Sequence, residues 1–181
     1  ATMRNIDSLI RLGNERFKPF WGWHDHHRSA DGTGEYQPAL QQVRSEFVEL
    51  AQVLDEQGVL TGRALQLGSG MCDASHFVWN VLFTDVVTID WRNCLRSWPS
   101  YSDNVGKPVQ TAAVYAGADT HSKIARTLAG AHGPYDFLFI DAGHKFLDVG
   151  ADHGDYGPMV RTGGIIAFHD ALPREGHDVD V

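Results

Sequence analysis

The sequence has little that would place the chain in a membrane, on nucleic acid or in an oxidising compartment. Its two cysteines, Cys72 and Cys94, fit neither a metal-binding spacing nor a disulfide framework, which predicts a reducing cytoplasm. The longest apolar runs are only strand-sized and no signal peptide opens the sequence, so we expect no membrane partner. A net charge of −8 lacks the lysine and arginine excess that phosphate contacts require, which argues against nucleic acid.

The sequence does have the composition of one globular domain. Its 181 residues are 43% hydrophobic and 21% charged, enough for a real core. We predict one structural unit in which residues 1–62 form N-terminal helices and a lid loop, and residues 63–181 form the core. An amphipathic pattern over residues 37–57 predicts a helix. The stretch WGWHDHH at residues 21–27 could bind metal, but we interpret it as a lid packed by its aromatic side chains.

From residue 63 onward, short apolar strands alternate with helical segments. This alternation predicts an α/β fold with a doubly wound, mainly parallel sheet and helices on both faces. The predicted strands cover residues 64–68, 85–90, 111–117, 135–141 and 164–170. The predicted helices between them cover residues 74–82, 91–98, 120–129 and 145–156.

A glycine turn, Gly68-Ser69-Gly70, follows the first predicted strand and precedes a helix. Glycines let a backbone approach a ligand closely, and Asp90, at the end of the second strand, is placed to bind both hydroxyls of a ribose. NAD-dependent enzymes share this pattern, and a tight strand-to-helix turn would also need small residues. Trp91, the next residue, either lies against an adenine ring or packs in the core.

A second polar group follows the last two predicted strands. Asp141 ends one strand with His144 one turn later, and His169 and Asp170 end the next. If the two strands are neighbours in a parallel sheet, these four side chains converge above their carboxyl ends, where acid, base or metal chemistry would be placed. Each residue alone could simply cap a turn or pack, but the convergence of four favours a functional site.

Residues 63–170 resemble the class I S-adenosylmethionine-dependent methyltransferases. Within that class the chain is similar to the small-molecule O-methyltransferases that include macrolide sugar methyltransferases and cephalosporin-hydroxylase-like proteins. The motifs that carry the resemblance are LQLGSG, VTID, IDAGHKF with Asp152 further on, and TGGIIAFHD. The resemblance implies a Rossmann-like fold in which the family's C-terminal helix and antiparallel strands are missing, so that the sequence is a fragment or another element covers that edge.

The resemblance also implies roles for single residues. Asp141 and Asp170 would hold magnesium, and His144 would be the general base. The residues implied to bind S-adenosylmethionine are Gly68, Ser69, Gly70, Asp90, Trp91, Ala118, Asp119 and Asp141. His169 stands where the family has an acid, and three alternatives follow: it turns away from a two-carboxylate magnesium site, it joins Asp141 and Asp170 as a ligand of another metal, or the site holds no metal.

These features together predict transfer of a methyl group from S-adenosylmethionine to a hydroxyl of a small molecule. An alcohol is a poor nucleophile near neutral pH, and a nearby imidazole or a bound cation would help remove its proton. An NAD(P)-dependent oxidoreductase is a weaker alternative, because the glycine turn lacks a third glycine. A degenerate cofactor-binding protein is another, because Gln66 replaces the family's usual acid. The sequence does not identify the acceptor, and it leaves homo-oligomerisation open.

Overall fold

The computed structural model describes residues 44–60, 62–69, 75–76, 79, 82–91 and 118–171. The helices are α1 (Arg44–Glu56), α2 (Lys123–His132) and α3 (Phe146–Tyr156), and a 3-10 turn, Gly157–Met159, follows α3. The strands are β1 (Arg63–Leu67), β2 (Asp85–Ile89), β3 (Tyr135–Ile140) and β4 (Val160–Phe168). Between β1 and β2 the described helical residues are Ser75, His76, Trp79 and Leu82. None of the described helices is long and apolar enough to cross a bilayer.

The four strands form one parallel sheet in the order β2-β1-β3-β4. The chain moves from β1 to β2 on one side, and then returns to place β3 on the other side of β1. This change of direction makes the gap between β1 and β3 the topological switch point, where open α/β sheets bind their ligands. Gly68 directly follows β1 and Asp141 directly follows β3, so both stand at this gap.

Both faces of the sheet are covered, which confirms the predicted fold class. On one face, Trp79 is fully buried and its ring centroid lies 4.8 Å from Phe47 of α1, 5.2 Å from Phe137 and 5.3 Å from Phe139. The other face is covered by α2 and α3, and its buried residues include Leu65, Leu67, Ile89, Leu138, Ala125, Ala129 and Tyr156. The alternation of β1 and β3 side chains between these two apolar layers explains their nearly continuous hydrophobic sequences.

The element boundaries follow the predicted ones closely, with one clear difference. Each predicted strand within the described residues has an observed counterpart, but β4 begins at Val160 rather than at residue 164. The extra residues pair irregularly: Tyr135 lies opposite Val160, whereas Phe137 lies opposite Ile165. An irregular register of this kind is a β-bulge, which absorbs additional residues without ending the strand.

The helices begin slightly later than predicted where a cap or turn precedes them. Ser122 caps α2, and its hydroxyl accepts a hydrogen bond from the Ala125 amide at 3.2 Å, so the helix starts at Lys123. The predicted helix over residues 37–57 is described from Arg44 to Glu56. The predicted lid at 21–27, the predicted strand at 111–117 and residues 92–98 of the predicted helix at 91–98 lie outside the described residues.

Candidate active site

Backbone hydrogen bonds hold the loops that leave β1, β3 and β4 at one edge of the sheet. The first residue after each strand still donates to the neighbouring strand, so each loop starts from a fixed position. These bonds join Gly68 N to Ile89 O at 2.8 Å, Asp141 N to Leu67 O at 2.8 Å, and His169 N to Ile140 O at 2.9 Å.

The glycine turn is tied to the predicted ribose acid. The Ser69 amide donates to Asp90 Oδ2 at 2.8 Å, and the Ser69 hydroxyl lies 3.3 Å from the same oxygen. Both residues are buried, so the turn and the acid form one unit. The Trp91 side chain is 64% exposed, and it therefore lies at the surface beside Asp90 rather than in the core. Gly70 lies outside the described residues.

Gly68 brings the glycine turn into contact with the loop after β3. Its φ of +80° is in the left-handed region, which glycine adopts readily. A Cβ atom at this position would stand 2.0 Å from the Asp141 carbonyl oxygen and 2.9 Å from the Ala142 Cα. The two loops are therefore packed backbone against backbone, and Asp141 is placed directly beside the turn.

The third segment predicted to bind the cofactor is a turn before α2. Ala118 is buried in the same apolar cluster as the last residues of β1 and β2, whereas Asp119 is exposed. The Asp119 carboxylate accepts a hydrogen bond from the His121 amide at 2.9 Å, which shapes the turn. Asp152, the additional acid of the fourth-strand motif, is fully buried with a carboxylate oxygen 3.7 Å from His121 Nδ1.

The structure brings together all four polar residues predicted at the ends of β3 and β4. This group, here called the acid–histidine cluster, consists of Asp141, His144, His169 and Asp170. His169 Nδ1 lies 3.2 Å from Asp141 Oδ1 and 3.1 Å from Asp170 Oδ2, and His144 Nδ1 lies 3.6 Å from Asp170 Oδ2. Asp170 has a φ of 52°, an uncommon conformation for a residue other than glycine.

The His169 imidazole lies between two carboxylates and is mostly buried, with 13% of its side chain exposed. Burial lowers its pKa, but hydrogen bonding and charge from Asp141, together with the charge of Asp170, outweigh burial and raise the pKa to about 9. Burial raises the pKa of Asp141, although His169 and His144 act in the opposite direction. The Asp141–His169 pair thus retains a proton at neutral pH.

The cluster contains a set of donors that fits a divalent metal. One ligand atom from each of Asp141, His144 and Asp170 lies within 4.8 Å of the others. Geometry therefore offers His144 as the nitrogen donor, whereas ligation by His169 was one of the three alternatives that the sequence left open. A mixed set of carboxylates and imidazole suits later transition metals better than magnesium, which prefers oxygen ligands. The His169 imidazolium is attracted to the same two carboxylates, so its charge competes with that of a metal.

A buried polar group beneath the glycine turn was not predicted from the sequence. Gln66 was recognised only as a replacement for the usual acid, but its side chain is hydrogen bonded to Ser75 and Thr88, and His76 lies against Thr88. The signal was present in the sequence, because Gln66 and Thr88 each interrupt an otherwise apolar strand. These two residues lie directly opposite one another in the sheet.

Comparison with protein families agrees with this geometry. Residues 56–171 match the profile of a family described as "Methyltransferase domain". The chain belongs to this methyltransferase family. Membership confirms the resemblance to class I S-adenosylmethionine-dependent methyltransferases and argues against the oxidoreductase alternative. No curated protein sequence matches the chain.

Solved structures with the same fold include the MycE methyltransferase from the mycinamycin biosynthetic pathway. One crystal form of MycE with Mg and S-adenosylhomocysteine (SAH) has a TM-score of 0.56 and 16% identity, over 90% of this chain and 36% of that one. A complex that also contains mycinamycin VI has a TM-score of 0.51 and 18% identity, over 67% and 32% of the two chains. The sugar N-methyltransferase KedS8 from a Streptoalloteichus species is more distant, with a TM-score of 0.46 and 14% identity over 83% and 64%. The methyltransferase-domain chain spans about a third of the length of MycE.

Proposed function

We propose that this methyltransferase-domain protein transfers a methyl group from S-adenosylmethionine to a hydroxyl of a small molecule. The observation that carries the proposal is the contact of Gly68 with Asp141, because it joins the glycine turn directly to the acid–histidine cluster. A cofactor bound along the turn would thus lie next to groups able to accept a proton. MycE, which has a similar fold, has been solved with SAH, Mg and mycinamycin VI, which makes a hydroxylated small molecule a reasonable class of acceptor.

In this proposal the turn and Asp90 bind the cofactor. S-adenosylmethionine, when bound, supplies an electrophilic methyl group on a sulfonium, and the sulfur keeps the bonding electron pair as the methyl leaves. The Asp90 carboxylate, held by the Ser69 amide, binds the ribose hydroxyls. The exposed Trp91 ring and the turn at Ala118 and Asp119 bind the adenine.

His144 accepts the hydroxyl proton of the acceptor in this proposal. Its side chain is 51% exposed, so an acceptor can reach it from solvent. Its Nδ1 faces Asp170 at 3.6 Å, which leaves Nε2 as the nitrogen that takes the proton. The Asp170 carboxylate stabilises the imidazolium that results, in the same way that a neighbouring acid supports the histidine base in other enzymes.

We expect SAH to stabilise the wild-type protein and the Asp90→Ala variant to lose most of this effect. A ligand at 100 times its dissociation constant raises the free energy of unfolding by about 2.7 kcal/mol. Thermal-shift measurements with SAH, S-adenosylmethionine, NADH and NADPH test this expectation. Glu56→Ala, which removes an exposed acid at the end of α1, is the matched control and should keep the wild-type shift. A shift with NADH and none with SAH would contradict the proposed function.

A divalent metal, as a second part of the proposal, is held by Asp141 and Asp170 with a histidine nitrogen. Such an ion would lower the pKa of the acceptor hydroxyl. A histidine nitrogen in the ligand set favours a transition-metal ion over Mg²⁺, since imidazole suits such ions and Mg²⁺ prefers oxygen donors. His144 cannot be metal ligand and base at once, so metal binding through His144 would leave the hydroxyl proton to be taken up by solvent.

We expect His169→Glu to raise affinity for Mg²⁺ by about tenfold or more relative to wild type, because a carboxylate replaces a competing imidazolium. Isothermal titration with Mg²⁺ and Mn²⁺ measures both affinities directly. His169→Gln separates the loss of the imidazolium charge from the gain of a carboxylate, since it removes the positive charge without adding a negative one. Its affinity for Mg²⁺ should lie between those of wild type and His169→Glu. Absence of binding by wild type and both variants at millimolar metal would eliminate the metal part of the proposal and leave the base intact.

A further inference from the structure

A chain of hydrogen bonds runs beneath the glycine turn, on the sheet face that Trp79 covers. Gln66 Nε2 donates to the Gly68 carbonyl at 2.6 Å and to Ser75 Oγ at 2.5 Å. Thr88 Oγ1 donates to Gln66 Oε1 at 3.5 Å and lies 2.5 Å from His76 Nδ1. Gln66, His76 and Thr88 are fully buried and Ser75 is 4% exposed, so water does not compete for these bonds.

Chemistry fixes the direction of the bond to the turn. A carbonyl oxygen can only accept, so Gln66 must present its amide nitrogen to Gly68 and its amide oxygen to Thr88. When the Thr88 hydroxyl donates to that oxygen, Thr88 Oγ1 accepts from His76 in its Nδ1–H tautomer. Burial lowers the pKa of His76 to about 3, which keeps its imidazole neutral.

We propose that the chain His76–Thr88–Gln66 positions the glycine turn for the adenosyl cofactor, with Gln66 as the positioning residue. The inference rests on the proposed binding of S-adenosylmethionine at this turn. Three successive backbone groups of the turn then have partners: Gly68 N is held by Ile89 O, Gly68 O by Gln66, and Ser69 N by Asp90. Gln66 thus holds the carbonyl group of the turn from beneath.

A neutral amide suits this position better than the acid usual in the family. An ionised carboxylate here could accept from Ser75 and Thr88, but it would face the Gly68 carbonyl oxygen with negative charge. The amide donates to that oxygen at every pH. The position of the turn therefore does not depend on the ionisation of the side chain beneath it.

Gln66→Glu tests this role, because it keeps the shape of the side chain and makes its donor depend on a proton. The protonated acid can donate to Gly68 and the carboxylate cannot. We expect the ratio of mutant to wild-type Kd for SAH to stay below about 3 at pH 5.5 and to rise to about 10 or more by pH 9. The ratio cancels the effect on Kd of the ionisable groups near the turn that both proteins share. These groups are His76, Asp90, Asp141, His144, His169 and Asp170.

If the buried side chain of the Gln66→Glu variant stays protonated over the whole pH range, that variant will bind SAH like wild type. Gln66→Leu then provides the test. Leucine cannot donate at any pH, so its Kd should be raised about tenfold across the whole range. Tyr135→Phe is the matched control: it removes another buried hydrogen bond, from the Tyr135 hydroxyl to Ala129 O at 2.8 Å, at a site remote from the turn. It should lower stability without changing the Kd for SAH.

The role of Gln66 is decided by Kd values for SAH, measured by calorimetry on protein that circular dichroism shows to be folded. A pH-dependent ratio for Gln66→Glu, or a uniform loss for Gln66→Leu, supports the positioning role. Wild-type Kd in both variants overturns it and leaves the proposed function standing, and so does a loss of the same size in Tyr135→Phe. Failure of the wild type to bind SAH overturns the proposed function, and this inference with it.

Discussion

Replacement of His144 by alanine is expected to slow methyl transfer by about 10²-fold, at the lower end of what a general base contributes. The affinity for SAH should stay close to wild type, because His144 belongs to the acid–histidine cluster and not to the glycine turn. The histidine is half-exposed, with its Nδ1 3.6 Å from Asp170 Oδ2, so its removal leaves no buried cavity. We therefore expect His144→Ala to slow methyl transfer without weakening the binding of SAH.

The separation can be measured with the release of SAH from S-adenosylmethionine, using whichever member of a panel of sugars and small alcohols the wild type methylates. His153→Ala is a suitable control, since His153 is an exposed histidine of α3 whose ring packs 5.7 Å from that of Phe168. That variant should turn over normally. A wild-type rate in His144→Ala would show that His144 is a surface residue without a role in proton transfer.

The sheet and the location of the site could be predicted because both depend on simple patterns. Two central strands are buried on both faces, so their sequences are nearly continuous apolar runs. Once the strands are taken as parallel and adjacent, Asp141 and His169 must emerge at the same edge. The pairing of β3 with β4 confirms that step.

The parts that could not be predicted depend on register and on single side-chain directions. The last strand was predicted to begin at residue 164, yet residues 160–163 also belong to β4 because a bulge accommodates them. The bonds of Gln66 depend on its alignment with Thr88, which periodicity does not specify. Asp170, whose carboxylate lies close to both histidines, has a left-handed backbone, and no residue pattern indicates that conformation.

Substitution of Gly68 by alanine is expected to have the largest effect on both stability and binding. The added Cβ would stand 2.0 Å from the carbonyl oxygen and 2.6 Å from the carbonyl carbon of Asp141. These are backbone atoms, which cannot rotate away as a flexible side chain would. The variant combines backbone strain of about 1–2 kcal/mol with a steric cost of about 1–3 kcal/mol or more. We therefore expect the free energy of unfolding to fall by at least about 2 kcal/mol, measured by urea denaturation.

Gly58→Ala separates the backbone strain expected in Gly68→Ala from the steric clash. Gly58 follows α1 with a φ of +69°, close to the +80° of Gly68, but a Cβ there would have no atom within 4 Å. Its alanine variant should lose only the strain of about 1–2 kcal/mol and bind SAH like wild type. Gly68→Ala should lose more stability and should also bind SAH more weakly where it remains folded, because relieving the clash must move the turn away from Asp141. Equal losses in the two variants would show that backbone conformation alone requires glycine at position 68. The turn and the acid–histidine cluster would then be neighbours without being coupled.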